Sequence, residues 1–568
     1  MNVKKLLLLL FVPVYLFCQE ESKSTIEILN ADLLEFENNP ERGKIKKLIG
    51  RVALQDKDVL LVCDSAFIYE DSSDFEAFGN VKVRRSDSLT IFSDYLYYDK
   101  GQKTALLKTN VIIDHQEIHL KTDELTYYIN QKYAYYPHEG KLEHPDFDLV
   151  SKQGYYFEEL QYASFIDHAI AQGKNYKLIS DTINYYYNTK KSFFSGPTSI
   201  QTDSLTGFGN AGYHIPKENI LLLKKKAWIL TKDQYIQGDS LYFNQKKGIG
   251  HAHINVTWKD STKTKIIHGD HLYYDKKEKT TLVTDNVIFE NIINTDTMFM
   301  AADSMYAYNT FIINYDSVYT LERIDSIYSK NDSIKIDSIF YLDSINSDTI
   351  YTQAIRANYD VKLIYGNISG IADSMRYLMY DSTFRFYKNP ILWSDSTQIS
   401  GDSIHIEIKA EKLHRLFVFG KTLMASLVLE NYFYNQIIGD KVTGYFRNDS
   451  LHKVIVNENA ESIYFIQDND GQFVGANKGK SKSIHVRLIN NNINQVIFIT
   501  NPSATFLPMR NLKPQSINFA RFKWEMKFKP IKSTDLKQPG RYKQFLSEEK
   551  IKFPESEEDS LEIKNLRD

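Results

Sequence analysis

Apolar and polar residues alternate one by one along most of this chain, as in Asn80-Val81-Lys82-Val83-Arg84 and Asn110-Val111-Ile112-Ile113-Asp114. Alternation of period two marks a half-buried β-strand, whose successive side chains point to opposite faces. Gly, Asn, Asp and Lys bound these runs, so each reads as a short strand closed by a turn. One phrase recurs through them: a small residue, Asp, any residue, an aliphatic, then aromatics. It reads Ser93-Asp94-Tyr95-Leu96-Tyr97-Tyr98-Asp99, Gly238-Asp239-Ser240-Leu241-Tyr242-Phe243-Asn244 and Gly269-Asp270-His271-Leu272-Tyr273-Tyr274-Asp275. Weaker copies begin at Asp32, Asp64, Asp123, Asp181, Asp303, Asp373 and Asp402. Many neighbouring copies lie about thirty residues apart, the signature of a stacked repeat architecture.

A polar turn such as Asp99-Lys100-Gly101-Gln102 or Asp275-Lys276-Lys277-Glu278 follows the recurring strand, and a second strand ending near Asn-Val follows the turn. Each repeat is thus at least two strands and a turn. The expected fold is all-β, an elongated, solenoid-like repeat array or an open, folded-over β-jellyroll. Within the recurring strand Asp239, Leu241 and Phe243 share one face and Ser240, Tyr242 and Asn244 the other, and the first face is expected inward. The same register directs Leu96 and Tyr98, Leu125 and Tyr127, Leu272 and Tyr274, and Met305 inward. The answering strands add Val81 and Val83, Val111 and Ile113, and Val287 and Phe289. Stacked positions of this kind make a continuous apolar strip, which suits a closed core as well as a groove for a ligand.

The pattern dissolves between residues 309 and 353 into Asp-Ser-Ile phrases such as Ile324-Asp325-Ser326-Ile327. This low-complexity insertion reads as a mobile loop, or as a hairpin added at an edge by its Ile and Tyr spacing. It separates repeats over 19–308 from repeats over 354–522, and a charged tail over 523–568 reads as disordered. Residues 1–18 form a secretory signal, with Lys4 and Lys5 before an apolar run from Leu6 to Phe17 that only Pro13 interrupts. Cleavage is expected after Cys18. Acylation of Cys18 as a lipoprotein is the alternative, although Phe17 sits where such signals want a small residue. Without the signal Cys63 is the only thiol, so stability rests on packing and strand pairing.

Acidic and basic residues nearly cancel, 72 against 69 for a net charge of -3, and both signs are scattered. A nucleic-acid binder would carry a basic stripe. The 39 Tyr and 33 Phe beside 13 Pro favour strands over disorder. The repeated Asp residues recur once per repeat, whereas an enzyme needs unique groups converging on a pocket; they read as turn chemistry or a hydrogen-bonded ladder. His251 and His253 share a strand face, and His268 with Asp270 is the pair that would approach them in a metal site, against surface histidines as the plain reading. No metal and no cofactor is expected. Two basic runs, Lys224-Lys225-Lys226 and Arg84-Arg85, have the charge to meet phosphates.

The recurring phrase followed by Phe78-Gly79-Asn80-Val81 or Thr284-Asp285-Asn286-Val287 resembles the OstA-like, LptA-like organic-solvent-tolerance family, which includes periplasmic bridge proteins of lipopolysaccharide transport. Pro390-Ile391-Leu392-Trp393-Ser394, Gln398-Ile399-Ser400-Gly401-Asp402 and Asn435-Gln436-Ile437-Ile438-Gly439 look like its larger members from Bacteroidetes. The resemblance implies a β-jellyroll folded like a taco, and a periplasmic, non-enzymatic conduit that shields the lipid A acyl chains of lipopolysaccharide. By the same resemblance Leu96, Tyr98, Val111, Ile113, Leu125, Leu241, Phe243, Leu272, Tyr274, Val287, Phe289 and Met305 line its lipid groove. It further implies contact with other transport components of the inner and outer membranes by edge-strand addition, and head-to-tail self-association. The competing readings are an exported carbohydrate-active enzyme on a parallel β-helix and a structural envelope scaffold.

Overall fold

The computed structural model describes residues 26–537 except 86–88, 116–117, 294–295, 329–333, 411, 430–432, 448–449, 490–491 and 514–516. The signal with Cys18, and the tail beyond residue 537, lie outside the described residues. Among the described residues the fold is all-β: 34 strands, antiparallel in every described pairing, in a jellyroll-type array. The chain divides into two compact units, Met1–Asp203 and Ser204–Asp568, taken separately below.

A typical strand is 11 residues long, as in Phe75–Arg85, Leu89–Asp99 and Ile118–Tyr128 of the first unit and Gln234–Asn244 of the second. Many strands are bent midway by a residue pair with positive φ: Gly79 and Asn80 at 72° and 44°, Thr109 and Asn110 at 63° and 53°, Asp285 and Asn286 at 62° and 55°. Residues with a Cβ resist this region, and Asn resists it least, which explains the recurring Asn before Val. The strand pairing register slips at each bend, for instance between Lys108 and Val111. Every such corner folds its strand across two facing walls.

The repeated Asp locks the corner of its neighbour. Asn80 Nδ2 donates to Asp64 Oδ2 at 2.9 Å, Asn110 to Asp94 at 2.6 Å, and Asn286 to Asp270 at 2.8 Å. The two halves of the repeated phrase are therefore one interaction, worth on the order of 1 kcal/mol per rung. A corner also resets the alternation. The expected inward face of Asp239, Leu241 and Phe243 holds only beyond the bend: Leu241 is 2 % exposed, whereas Asp239 faces solvent and Gly238 is buried instead. A Cβ on Gly79 would lie 2.4 Å from Asp64 Oδ2. Gly79→Ala is expected to cost about 1–3 kcal/mol, read as a lower urea midpoint; an unchanged midpoint would mean the corner tolerates a side chain.

Inward residues pair rung to rung into ladders. In the first unit Leu48, Ala66, Ala77, Leu96, Leu107 and Leu125 run along one wall. Leu61, Val83, Ile91, Ile113, Leu120 and Leu142 run along the other. In the second unit Leu223, Leu241, Ala252, Leu272, Val283 and Met305 form the matching row. Cross-strand apolar pairs of this kind are the unit of sheet stability.

Two features of the second unit add to the repeat. The Asp/Ser-rich segment continues the strands Asp296–Tyr328 and Ile334–Tyr365 as one antiparallel hairpin, paired from Asn309 opposite Gln353 out to Tyr328 opposite Ile334. Its backbone takes the hairpin form that the Ile and Tyr spacing allows. Residues 517–537 then return along the outer face of one wall as a strap. Ile517 and Phe519 pack with Leu423, Ile438, Ile463 and Phe465, while Met526 and Phe528 cover Ile371, Ile391 and Trp393. Buried glutamines hold the strap's backbone: Gln398 Nε2 donates to the Lys523 carbonyl at 2.7 Å and Gln398 Oε1 accepts from Glu525 N at 2.8 Å, and Gln436 Oε1 accepts from Phe519 N at 3.1 Å. All four residues of strand Ile391–Ser394 are buried as a result. The part of the tail up to residue 537 is thus an ordered layer of the fold.

Candidate functional site

The interior is made by the residues that flank each corner. Leu96, Val111, Ile113 and Leu125 of the first unit, and Leu241, Leu272, Val287 and Met305 of the second, are all buried. Tyr98, Phe243, Tyr274 and Phe289 lie two residues further from their corners and are half-buried. Walls that part from a common corner are closest there, so depth falls off toward the strand ends. Ile113 departs from this order, since it holds the strand position of Phe289 yet is fully covered. The difference lies in how the two units close.

In the second unit the strand ends leave an apolar rim. Ile236, Trp258, Ile267 and Phe289 are successive cross-strand neighbours on one wall, and all are half-buried. On the other, Gly250 sits between Phe243 and Tyr274 in the pairing register. A Cβ on Gly250 would come 3.4 Å from the Phe243 ring, so the glycine leaves space between two aromatics. Chemically this stretch offers dispersion contacts and removal of apolar surface from water, with no group suited to covalent work.

In the first unit side chains from the far ends of the two walls meet in a seam. Arg85 Nη1 donates to the Tyr127 hydroxyl at 3.2 Å, and that hydroxyl donates to Glu158 Oε2 at 2.6 Å. Arg85 and Glu158 are themselves paired at 3.5 Å. The Tyr156 hydroxyl is hydrogen-bonded to His115 Nδ1, and that of Tyr185 lies 3.4 Å from His144 Nε2. The three contacts span 42, 41 and 41 residues, one zipper tooth for every two strands. Along their wall, Tyr98, Ala105, Tyr127, Ala134, Tyr156, Ala163 and Tyr185 are successive neighbours, and the alternation of large and small makes room for each ring. Burial pushes the Tyr127 and Tyr156 phenols up and the His115 imidazole down, so these three groups are uncharged at pH 7 beside the Arg85–Glu158 ion pair.

Sequence reasoning placed Tyr98 and Tyr127 inward but missed Arg85, His115, His144, Tyr156, Glu158 and Tyr185 as a set. The signal was present: Tyr98, Tyr127, Tyr156 and Tyr185 recur at a fixed spacing. Their partners belong to the opposite wall, and a local pattern carries no cross-wall pairing.

The remaining candidates fall elsewhere. Asp64, Asp94 and Asp270 are engaged in corner locks. His253 faces His271, Nδ1 to Nδ1 at 3.0 Å, where the alternation pointed to His268 and Asp270. The corner at Gly269-Asp270 sends His268 to the other wall, against Thr257 and Glu290. Among the described residues no group of three or more His, Cys, Asp or Glu is arranged to hold a metal ion. Lys224, Lys225 and Lys226 form an exposed corner, outside the interior.

A family profile described as OstA-like protein matches residues 23–196, and one described as LptA/(LptD N-terminal domain) LPS transport protein matches residues 266–412. A search of curated proteins finds no match to the chain.

Proposed function

We propose a function from a family premise: the chain belongs to the OstA-like family of lipopolysaccharide-transport proteins, and in our reading it is a non-enzymatic periplasmic conduit. The acyl chains of lipopolysaccharide travel in its apolar interior. The observation that carries this reading is the half-buried rim of the second unit, where Phe243, Tyr274, Ile236, Trp258 and Phe289 stand above buried Leu241 and Leu272 of one wall and Val287 of the other. An acyl chain laid there gains about 0.8 kcal/mol for each methylene withdrawn from water. That gain is sequence-blind along the row, which suits movement better than a single tight pocket. Among the repeated carboxylates, which a glycosidase reading would need free, Asp32, Asp64, Asp94, Asp270 and Asp373 are engaged by corner residues Arg51, Asn80, Asn110, Asn286 and Lys388.

The partners in this reading are other components of the same pathway at the inner and outer membranes, or further copies of the chain, joined by strand addition. Among the described residues, strands Glu27–Asn30 and Leu33–Asn39 pair with Gly43–Asp56 alone, and Ile28, Leu33, Leu34 and Phe36 are exposed, Phe36 at 69 %. An apolar edge of this kind is a template for another chain.

The test is photo-crosslinking in the native envelope. A benzophenone side chain at Phe243, Tyr274 or Phe289 is expected to capture lipopolysaccharide, and one at Tyr242 or Tyr273 is not. Equal capture from both sets, or from neither, would overturn the interior as the lipid path.

A further inference from the structure

Behind the seam of the first unit lies an apolar interior, with Ile113, Leu120 and Leu125 buried. In front of it the walls are held by the polar contacts of the seam, with ring packing such as Phe147 against Tyr185 beside them. We propose that this seam is a selective gate: it opens for an acylated lipid whose headgroup is anionic, and Arg85 is the residue that selects the headgroup. The proposal rests on the conduit reading and names the cargo chemistry that this part of the conduit accepts.

What replaces the seam's bonds when it opens decides which lipid enters. Parting the walls breaks the Arg85–Tyr127–Glu158 bonds and the Tyr156–His115 bond together. Arg85 keeps Asp58, next to its strand neighbour Val59, at 3.6 Å, but the Arg85 and Glu158 side chains are only 24 % and 22 % exposed, so the pair between the walls is not simply exchanged for bulk water, and leaving Glu158 without its cation is costly. A lipid whose chains occupy the interior leaves its headgroup at the lip, beside these groups. A phosphate there takes the planar guanidinium fork in charge-assisted pairs, usually bidentate, in place of the Glu158 carboxylate. The Tyr127 and Tyr156 hydroxyls, freed from their own acceptors, become donors to the remaining phosphate oxygens. A neutral headgroup offers Arg85 nothing better than Glu158, and the seam stays shut. Successive teeth stand two strands, or about 10 Å, apart, so a headgroup carrying two phosphates reaches more than one of them.

The experiment places a benzophenone side chain at Tyr98, in the row of the seam tyrosines, or at Tyr274 in the second unit of the full chain. Each protein is offered lipopolysaccharide and lipopolysaccharide stripped of its phosphates. Capture at Tyr98 is expected to favour the phosphorylated lipid by about tenfold or more, as a lost charge-assisted pair would dictate, while capture at Tyr274 hardly discriminates. Arg85→Gln should bring the ratio at Tyr98 close to one and leave Tyr274 unchanged. Glu158→Gln, which removes the competing carboxylate, should raise capture of the phosphorylated form at Tyr98. A ratio near one in the parent, or a ratio that survives Arg85→Gln, overturns the gate. Should Arg85→Gln fail to fold, Tyr127→Phe keeps the ring and removes the bridging hydroxyl, and unchanged capture at Tyr98 in that variant overturns it equally. Inorganic phosphate in excess should not displace the lipid; if it does, the site takes free anions and the gate is refuted. Absence of capture at Tyr274 with either lipid would instead sink the conduit itself.

Discussion

Phe519→Ala is expected to lower the stability of the second unit by about 3–5 kcal/mol, the usual cost of emptying a buried phenylalanine site. The strap is why so late a residue carries so much. Strands such as Ile391–Ser394 present apolar side chains on both faces: Leu392 pairs with Gly370 and Ile399 on the inner side, while Ile391 and Trp393 point outward beneath Met526 and Phe528. A sheet wall with two apolar faces needs two coverings, and residues 517–537 are the second. Trp393→Ala should cost a similar amount, because its side chain is fully buried. Ile531→Ala, at a residue 71 % exposed, should move stability by no more than about 0.5 kcal/mol. Tryptophan fluorescence during urea unfolding reports this unit alone, since Trp228, Trp258, Trp393 and Trp524 all follow Asp203. A loss below about 1 kcal/mol for Phe519→Ala would show that the strap is a loose attachment and not a layer. With the outer face of this stretch covered by the chain itself, the inner face is the apolar surface on which the proposed conduit relies.

Strand after strand was legible in the sequence because period two is a local property, and the stacked rows of Leu96, Leu125, Leu241 and Leu272 followed from it. The corners were not. Alternation assigns faces only within a straight run, and a positive-φ pair such as Asp285 and Asn286 consumes residues without advancing the pleat. Asp239 was therefore placed inward with Leu241, and His268 was matched with His251 and His253 where His271 belongs. The clue lay in the phrase itself, since Asp94 and Asn110, sixteen residues apart, recur as a couple that a straight strand would not need. The strap was hidden differently. Lys523, Lys527 and Lys529 raise the average polarity of the C-terminal segment, but Phe522, Trp524, Met526 and Phe528 occupy every second position between them, the same alternation that marked strands elsewhere. The seam joins positions 41 or 42 residues apart on opposite walls. Only the folded corner brings those ends together, and the sequence showed one side of it as a regular spacing of tyrosines.

Acidification is expected to weaken the second unit through His214. This residue lies in strand Leu205–Ile215, opposite Leu221 on the next strand, and is buried. Burial lowers its imidazole from the ordinary value of 6.5 to about 4, because the charged form loses its hydration there. The folded chain thus holds His214 neutral where the unfolded chain would protonate it. Its contribution is complete above pH 6.5, begins to fall as pH drops below that value, and is exhausted near pH 4. The full span amounts to about 3 kcal/mol, from 1.36 kcal/mol for each pKa unit. Other imidazoles are lowered by burial in the same direction, among them His268, His405 and His485, so the parent protein will lose stability in acid for several reasons at once. The informative quantity is the difference between parent and His214→Leu, which replaces the imidazole with an apolar group of similar bulk. Relative to its own value at pH 7.5, the variant should retain about 2–3 kcal/mol more than the parent at pH 4.5. Parallel unfolding profiles for the two proteins across that range would mean that His214 is as hydrated in the fold as in the open chain.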